Sequence, residues 1–271
     1  MPAIPFFETQ PRPGTPPLHF AHANGYPPQA YGPLFELLAP HFHVTAMEGR
    51  ALWPGTDPRE VKDWGDFVGD LQTFLAPLPK PVVGVGHSLG GTVTLIAALQ
   101  HPDWFRALVL IDPPFFPPFF SLVWQVFYRL GLVYHLHPLV KGAVKRRTKF
   151  ENPEAMFAHY RPKKVFEKID DRGLWAYVHA LARPLATGGV ELRHPPAWEA
   201  RVYVTGAMRD WRTWRDLRGL RTPILLLRPE HAPTTPDATV RLLQRVAPQT
   251  IARTIPATTH LAPLENPEAI A

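Results

Sequence analysis

Short apolar runs alternate along the chain with longer segments in which apolar residues recur at helical spacing. The apolar runs have the length of buried strands, and they cover residues 18–25, 41–48, 81–86, 106–112, 222–229 and 249–257. Helical spacing is found in residues 27–39, 60–76 (with Thr56 and Asp57 as its predicted caps), 89–100 and 236–247. Strands that alternate with helices predict an α/β fold, with a mostly parallel, doubly wound sheet and helices on both faces.

One long segment interrupts this alternation. Residues 114–215 contain most of the aromatic residues, several amphipathic helical patterns and little strand pattern. We therefore predict a core of residues 1–113 and 216–271 and a helical cap, residues 114–215, at the carboxyl edge of the sheet, where ligands of such sheets bind. The apolar run at 113–134 is broken by prolines, Gln125 and Arg129, which favours a lipophilic surface or lid over a membrane span.

Composition and charge narrow the possible classes of protein. Hydrophobic residues make up 45% of the chain and charged residues 19%, which is typical of a globular protein. Cysteine is absent, which excludes disulfides, thiolate metal sites and a cysteine nucleophile. The start of the chain lacks a secretory signal, so a cytoplasmic location is expected.

The net charge of +6 raises the question of an acidic partner. Much of the excess lies in residues 141–150 and 161–168, and no nucleic-acid-binding motif accompanies it. We expect solvated helix surface there rather than a specific anion or headgroup site. No nucleic-acid partner and no stable membrane insertion are predicted, and the oligomeric state stays open.

The segment VVGVGHSLGGT, residues 82–92, places one serine between glycines where a strand must become a helix. Such a tight turn strains its central residue and leaves no room for bulky neighbours, which explains the glycines at positions 86 and 90. The hydroxyl of Ser88 would then be exposed at the edge of the sheet, above the positive end of the following helix. We interpret Ser88 as a nucleophile; the alternative is a purely structural turn.

With this motif, the chain resembles the α/β-hydrolase fold family. Two further segments carry the resemblance, namely HANGYPPQAYGPL at 22–34 and THLAPLENPEAIA at 259–271. The resemblance implies a hydrolase of esters or related acyl bonds that uses a serine, acid and histidine in that chain order and needs no cofactor. It also implies a helical cap inserted after the strand that follows the nucleophile's helix.

The resemblance also implies which residues assist the serine. A serine hydroxyl is a poor nucleophile and needs a base within hydrogen-bond reach, and the loop after the last strand supplies His260. The N–H groups of Leu89 and Asn24 would bind the developing oxyanion, with Tyr26 in place of Asn24 if Gly25 aligns with the family's glycine. His87 should point away from the serine and pack or line the pocket.

The position of the acidic residue that should partner His260 departs from the family pattern. In the segment RPEHAPTTP, residues 228–236, Ala232 stands where the family has an aspartate. Three candidates remain, Glu230, Asp237 and Asp112, and some family members carry the acid on the strand that ends here at Asp112. A carboxylate there can still accept the histidine N–H and stabilise the imidazolium, so we favour Asp112; Asp237 is explained by helix capping.

These residues predict a serine esterase, lipase-like in character, that acts on a small hydrophobic ester substrate. The aromatic lining expected of the cap favours a hydrophobic acyl or aryl group. No metal is expected, because the histidine pairs lack carboxylate partners at ligand spacing. The alternatives are a thioesterase or carbon–carbon bond hydrolase with the same triad, and a non-catalytic binding module of the same fold.

Overall fold

The computed structural model describes residues 4–206, 210–231 and 234–271, and it contains a seven-stranded sheet. The strands lie in the order β1-β3-β2-β4-β5-β9-β10, and all pairs are parallel except the edge pair of β1 and β3. Their bounds are Phe6–Glu8 (β1), Pro17–Ala21 (β2), His43–Met47 (β3), Val82–His87 (β4), Phe105–Ile111 (β5), Ile224–Pro229 (β9) and Thr250–Ile255 (β10). The predicted α/β fold with a mostly parallel sheet is confirmed.

Helices cover both faces of this sheet. They are Gly32–Leu38 (α1), Gly65–Leu75 (α2), Leu89–Gln100 (α3), Asp237–Val246 (α11), Ala262–Glu265 (α12) and Pro267–Ile270 (α13). Side chains of β5 alternate between the faces: Leu108 and Leu110 pack in the apolar cluster that contains α2 and α3, whereas Ile111 packs in the cluster that contains α1. Burial of both faces explains why the central strands are almost continuously apolar.

The predicted start and caps of α2 are wrong. The helix begins at Gly65 rather than near Glu60, because Asp57 accepts a hydrogen bond from the Arg59 N–H and caps a short 3₁₀ turn instead. The Thr56 hydroxyl donates to the carbonyl of Arg50 and caps no helix.

Residues 114–215 lie between β5 and β9 and are mostly helical. The helices are Pro118–Arg129 (α4), Val133–Leu136 (α5), Pro138–Val144 (α6), Pro153–Tyr160 (α7), Asp171–Leu181 (α8), Pro196–Val204 (α9) and Asp210–Asp216 (α10). A small antiparallel sheet, unforeseen from the sequence, joins Lys149–Phe150 (β6), Ala182–Pro184 (β7) and Val190–Leu192 (β8). Strands of two or three residues carry no alternating pattern, which is why periodicity did not reveal them. The bounds of a separate cap domain stay a prediction.

None of the helices in the described ranges is both long enough and apolar enough to cross a membrane. The carboxyl ends of the parallel strands meet at one edge of the sheet, beside residues 114–215. The loops that follow β2, β4, β5, β9 and β10 carry Asn24, Ser88, Asp112, Glu230 and His260, so the topology alone brings the sequence-predicted residues to this edge.

Candidate active site

Ser88 occupies a strained turn between β4 and α3. Its backbone has φ 54° and ψ −123°, a conformation that side-chain-bearing residues rarely adopt. The turn is possible because its glycines lack side chains: a Cβ on Gly90 would lie 2.0 Å from the Ala21 carbonyl oxygen, and one on Gly86 would lie 2.4 Å from the Gly90 carbonyl oxygen. The Ser88 N–H donates to the Ile111 carbonyl at 2.9 Å, which ties the turn to β5.

Three of the predicted residues form a hydrogen-bonded series. His260 Nε2 lies 2.9 Å from Ser88 Oγ, and His260 Nδ1 lies 2.7 Å from Asp112 Oδ2. Because a carboxylate can only accept, Nδ1 carries the hydrogen, which leaves Nε2 free to accept the serine proton. The series therefore has the geometry of a nucleophile, a base and a group that orients the base.

Asp112 is completely buried and, like Ser88, has a positive φ of 40°. Burial by itself raises the pKa of its carboxyl group, but the hydrogen bond and charge of His260, together with the hydroxyl groups of Thr234 and Thr235, outweigh burial and bring the pKa below its ordinary value of 3.8. The group is therefore an anion at neutral pH, as stabilisation of an imidazolium requires.

The other two candidate acids have different partners. Glu230 Oε2 accepts from the N–H of Ala257 at 2.7 Å, and Asp237 forms an ion pair with Arg228 at the surface. Neither carboxylate is hydrogen-bonded to His260 in the part of the chain that the structure describes. Ala232 lies outside the described residues.

Two backbone N–H groups lie beside Ser88 without an acceptor in the described ranges. They belong to Leu89, the first residue of α3, and to Asn24, in the loop after β2; both residues line the same cavity as Ser88. The alternative donor, the Tyr26 N–H, already donates to the Ala23 carbonyl at 3.2 Å. This arrangement leaves Leu89 and Asn24 available to an oxyanion.

A buried chain of hydrogen bonds under the site was not foreseen. The Ala23 N–H donates to the Tyr31 hydroxyl at 3.1 Å, and that hydroxyl donates to His87 Nδ1 at 2.7 Å. His87 Nε2 in turn donates to the carbonyl of His260 at 2.8 Å. Burial lowers the pKa of His87 to about 3, so the ring stays neutral and can accept and donate at once.

This chain connects the loop after β2 to the loop that carries His260. His87 packs away from the serine, as its place in the turn suggested, but it also holds the backbone of the residue that contacts Ser88. One feature of the sequence indicated a role for His87, namely a histidine at the end of an otherwise apolar strand. Nothing in the sequence indicated its hydrogen-bond partners.

A cavity of about 440 Å³ opens from Ser88 toward residues 114–215. Its walls are mostly aromatic and aliphatic, and they include Trp64, Phe116, Phe120, Trp124, Leu139 and Val202. Within the described ranges there is no group of three histidine or carboxylate residues that could hold a metal ion. The cavity suits an apolar ligand whose reactive carbon lies next to the serine.

Known proteins resemble the chain both in sequence and in structure. A sequence profile of the Alpha/beta hydrolase family matches residues 20–271. A type I acyl-CoA thioesterase of Penicillium roqueforti is 33% identical over 108 residues, covering 34% of this chain and 25% of the relative. A monoglyceride lipase of Rattus norvegicus is 36% identical over 58 residues, covering 20% of this chain and 19% of the relative. The chain thus spans only about a quarter or less of the length of the curated relatives it matches.

Solved structures are similar over almost the whole chain. The thioesterase domain from the curacin biosynthetic pathway has a TM-score of 0.74 at 14% identity, covering 99% of this chain and 98% of that one. E-2-(acetamidomethylene)succinate hydrolase has a TM-score of 0.73 at 21% identity, covering 98% of this chain and 91% of that one. These structures share the fold of the chain, and the profile match over residues 20–271 shows that the chain belongs to the alpha/beta hydrolase family, which supports a hydrolytic activity.

Proposed function

We propose that this protein is a serine hydrolase that cleaves a carboxylic ester with a hydrophobic acyl or aryl group. The observation that carries the proposal is the hydrogen-bonded series of Ser88, His260 and Asp112 at the end of an apolar cavity. No cofactor is needed, since the serine, the base and the oxyanion donors are all supplied by the chain.

The first half of the reaction transfers the acyl group to the enzyme. His260 Nε2 takes the proton from Ser88 Oγ as the oxygen attacks the ester carbonyl carbon. The N–H groups of Leu89 and Asn24 bind the negative oxygen of the tetrahedral intermediate. When that intermediate collapses, the protonated His260 gives its proton to the leaving alkoxide, an alcohol departs, and the acyl group remains on Ser88.

The second half releases the acid. A water molecule attacks the acyl carbon and gives a proton to His260, and a second tetrahedral intermediate forms. Its collapse returns the proton to Ser88 and releases the carboxylic acid. In both halves the Asp112 carboxylate keeps the Nδ1 hydrogen in place and stabilises the imidazolium.

The cavity supports a hydrophobic rather than a sugar or nucleotide substrate. Aromatic and aliphatic side chains make up most of its walls. The polar side chains that line it beyond the catalytic group are those of Asn24, Tyr26, His137, Tyr203, His231, Thr234 and Thr259. A buried sugar would leave most of its hydroxyl groups without partners, which costs free energy for each group.

A thioester is the second candidate substrate class. The observation that favours it is the 33% identity over 108 residues with a type I acyl-CoA thioesterase. The chemistry needs the same three residues, because only the leaving atom changes from oxygen to sulfur. The comparison of an oxygen ester and a coenzyme A thioester with the same acyl chain distinguishes the two classes.

The test combines turnover with covalent labelling. We expect p-nitrophenyl esters, from acetate to palmitate, to be hydrolysed with an optimum at a chain length that fills the cavity. Ser88→Ala should lower kcat by about 10⁴-fold or more with the protein still folded.

The chain contains two serines, Ser88 and Ser121, so Ser121→Ala is the matched control. A fluorophosphonate probe should label the wild type and Ser121→Ala, but not Ser88→Ala. A folded wild type that neither turns over any ester or thioester in the series nor reacts with the probe would contradict the proposal.

A further inference from the structure

Helix α4 turns its apolar face outward. Phe119, Leu122 and Val126 are exposed by 76%, 57% and 53%, and Leu130 just after the helix by 65%. These residues are three or four positions apart, so they form one stripe along the helix. Helices of globular proteins normally bury such a stripe, and here the buried residue of α4 is the polar Ser121.

The exposed stripe continues onto the next two helices. Leu132, Leu136, Leu139 and Val144, in and around α5 and α6, are each exposed by a third or more. Of the sixteen large hydrophobic side chains that are exposed in the described residues, twelve lie between residues 119 and 144. We call this surface, formed by residues 119–144, the apolar face; a concentration of this kind marks an interaction site.

The segment around this face carries only positive charge. From residue 113 to residue 150 the chain has no aspartate or glutamate and six arginines or lysines. Of these, Arg129, Lys141, Lys145, Arg147 and Lys149 are exposed. An apolar face that is flanked by basic residues complements a surface with anionic groups above hydrocarbon.

We propose that the apolar face docks on the surface of an anionic lipid bilayer. The apolar side chains would enter the boundary between headgroups and acyl chains, and the basic residues would contact the lipid phosphates. Phe120 and Leu139 belong to the apolar face and also line the cavity beside Ser88, so docking brings the cavity next to the lipid. Attachment is peripheral and reversible.

A second copy of the chain fits this face less well. In a symmetric dimer the same face of each copy would meet the other, which would bring two sets of basic residues together without acidic partners. An anionic lipid surface offsets that charge instead of repeating it.

Binding to vesicles tests the proposal and does not depend on hydrolysis. The full chain should co-sediment with vesicles of phosphatidylcholine mixed with phosphatidylglycerol, and more weakly with phosphatidylcholine alone. The double variant Leu122→Ser, Val126→Ser removes two exposed side chains that do not line the cavity and should weaken binding by about tenfold or more. Lys141→Glu with Lys145→Glu should weaken binding by about 25-fold or more, because each basic residue near such a surface contributes about fivefold.

Control variants remove exposed apolar or basic residues elsewhere on the surface. Ile251→Ser removes a residue with 58% exposure on β10, and Arg106→Glu with Arg245→Glu makes the same change in net charge at exposed positions on β5 and α11. Both should bind vesicles as the wild type does.

Three results would overturn the proposal. They are absence of binding to anionic vesicles, equal losses in the controls and in the variants of the face, and a dimer in sedimentation equilibrium that Leu122→Ser with Val126→Ser dissociates. The last result would assign the apolar face to a second copy.

Discussion

The carboxylate of Asp112 is completely buried and faces His260. Its Oδ2 atom contacts His260 Nδ1 at 2.7 Å, while Oδ1 is buried without a partner in the described part of the chain. A buried carboxylate oxygen without a hydrogen-bond partner lowers the stability of the fold. A residue with a purely structural role could avoid that cost by having an apolar side chain. In the proposed mechanism this carboxylate faces the imidazolium that forms on His260 during the reaction and stabilises it.

The variant Asp112→Asn should therefore lose most of its activity. An amide at this position cannot stabilise the imidazolium, and it favours the wrong tautomer of His260 when its N–H faces Nδ1. We expect kcat for p-nitrophenyl esters to fall by about 10⁴-fold with little change in KM. Steady-state kinetics check this result.

The matched control is Glu230→Gln, which alters the acid at the end of the neighbouring strand β9. Its carboxylate accepts from the Ala257 N–H, a contact that a glutamine oxygen can keep. We expect this variant to retain kcat within a few-fold. A large loss in Glu230→Gln together with an active Asp112→Asn would reverse the assignment of the acid.

Single residues of the site differ in how far the sequence could reveal them. Ser88 was predictable because a strand, two glycines and a helix surround it, and His260 and Asp112 followed from resemblance and from their places after strands. The contacts of Tyr31 with Ala23 and His87 were not predictable. They depend on how α1 packs against β2 and β4, and no local pattern encodes that packing.

Among the elements, the turn from β4 to α3 most strictly limits which residue types the sequence can have. We expect Gly90→Ala to destabilise the protein by about 3 kcal/mol or more, or to prevent soluble expression, because the new Cβ would overlap the Ala21 carbonyl oxygen. Urea denaturation measures the change in the free energy of unfolding.

Gly69→Ala is the control for this prediction. Gly69 lies within α2 and has no atom within 4 Å of an added Cβ, so the variant should gain about 1 kcal/mol from helix propensity. Equal effects of the two substitutions would mean that the close approach at Gly90 is not a constraint.

Elements were predictable to the extent that burial imposed a repeating pattern. The helix α3 agrees with its predicted bounds, and β4 and β5 agree to within a residue or so, because both faces of these strands are buried. The edge strand β1 and the small sheet of β6, β7 and β8 left no such pattern. The start of α2 was misplaced because Asp57 caps a separate turn, which depends on local hydrogen bonds rather than periodicity.

At the scale of the whole molecule, buried polar groups join the sheet to the helical segment above it. The Asn24 side chain donates to the Glu199 carbonyl of α9 at 3.1 Å, and the Glu199 carboxylate pairs with Arg146. Arg193 similarly pairs with the buried Glu48 after β3. The loop of Asn24 therefore contacts α9 directly, so its position depends on how residues 114–215 dock on the sheet.

Three buried histidines predict how the stability of the molecule depends on pH. Burial lowers the pKa of His19, His87 and His194 to about 3 each, against an ordinary value of 6.5. Between these values the unfolded chain binds protons that the folded protein does not, so the free energy of unfolding must fall as the pH decreases below about 6.5. The slope is at most about 1.4 kcal/mol per pH unit for each histidine.

Urea denaturation between about pH 7.5 and about pH 5 measures this slope. Asp112 does not contribute in that range, because its lowered pKa means that its stabilising contribution is lost only at still lower pH. His19→Gln should reduce the slope by at most about a third, because His22, His137 and His159, whose pKa values are also lowered, contribute to it as well. The control is His41→Gln, which makes the same substitution at an exposed position. A free energy of unfolding that stays constant on acidification to about pH 5 would contradict the prediction. It would mean that these histidines bind protons as tightly in the folded protein as in the unfolded chain.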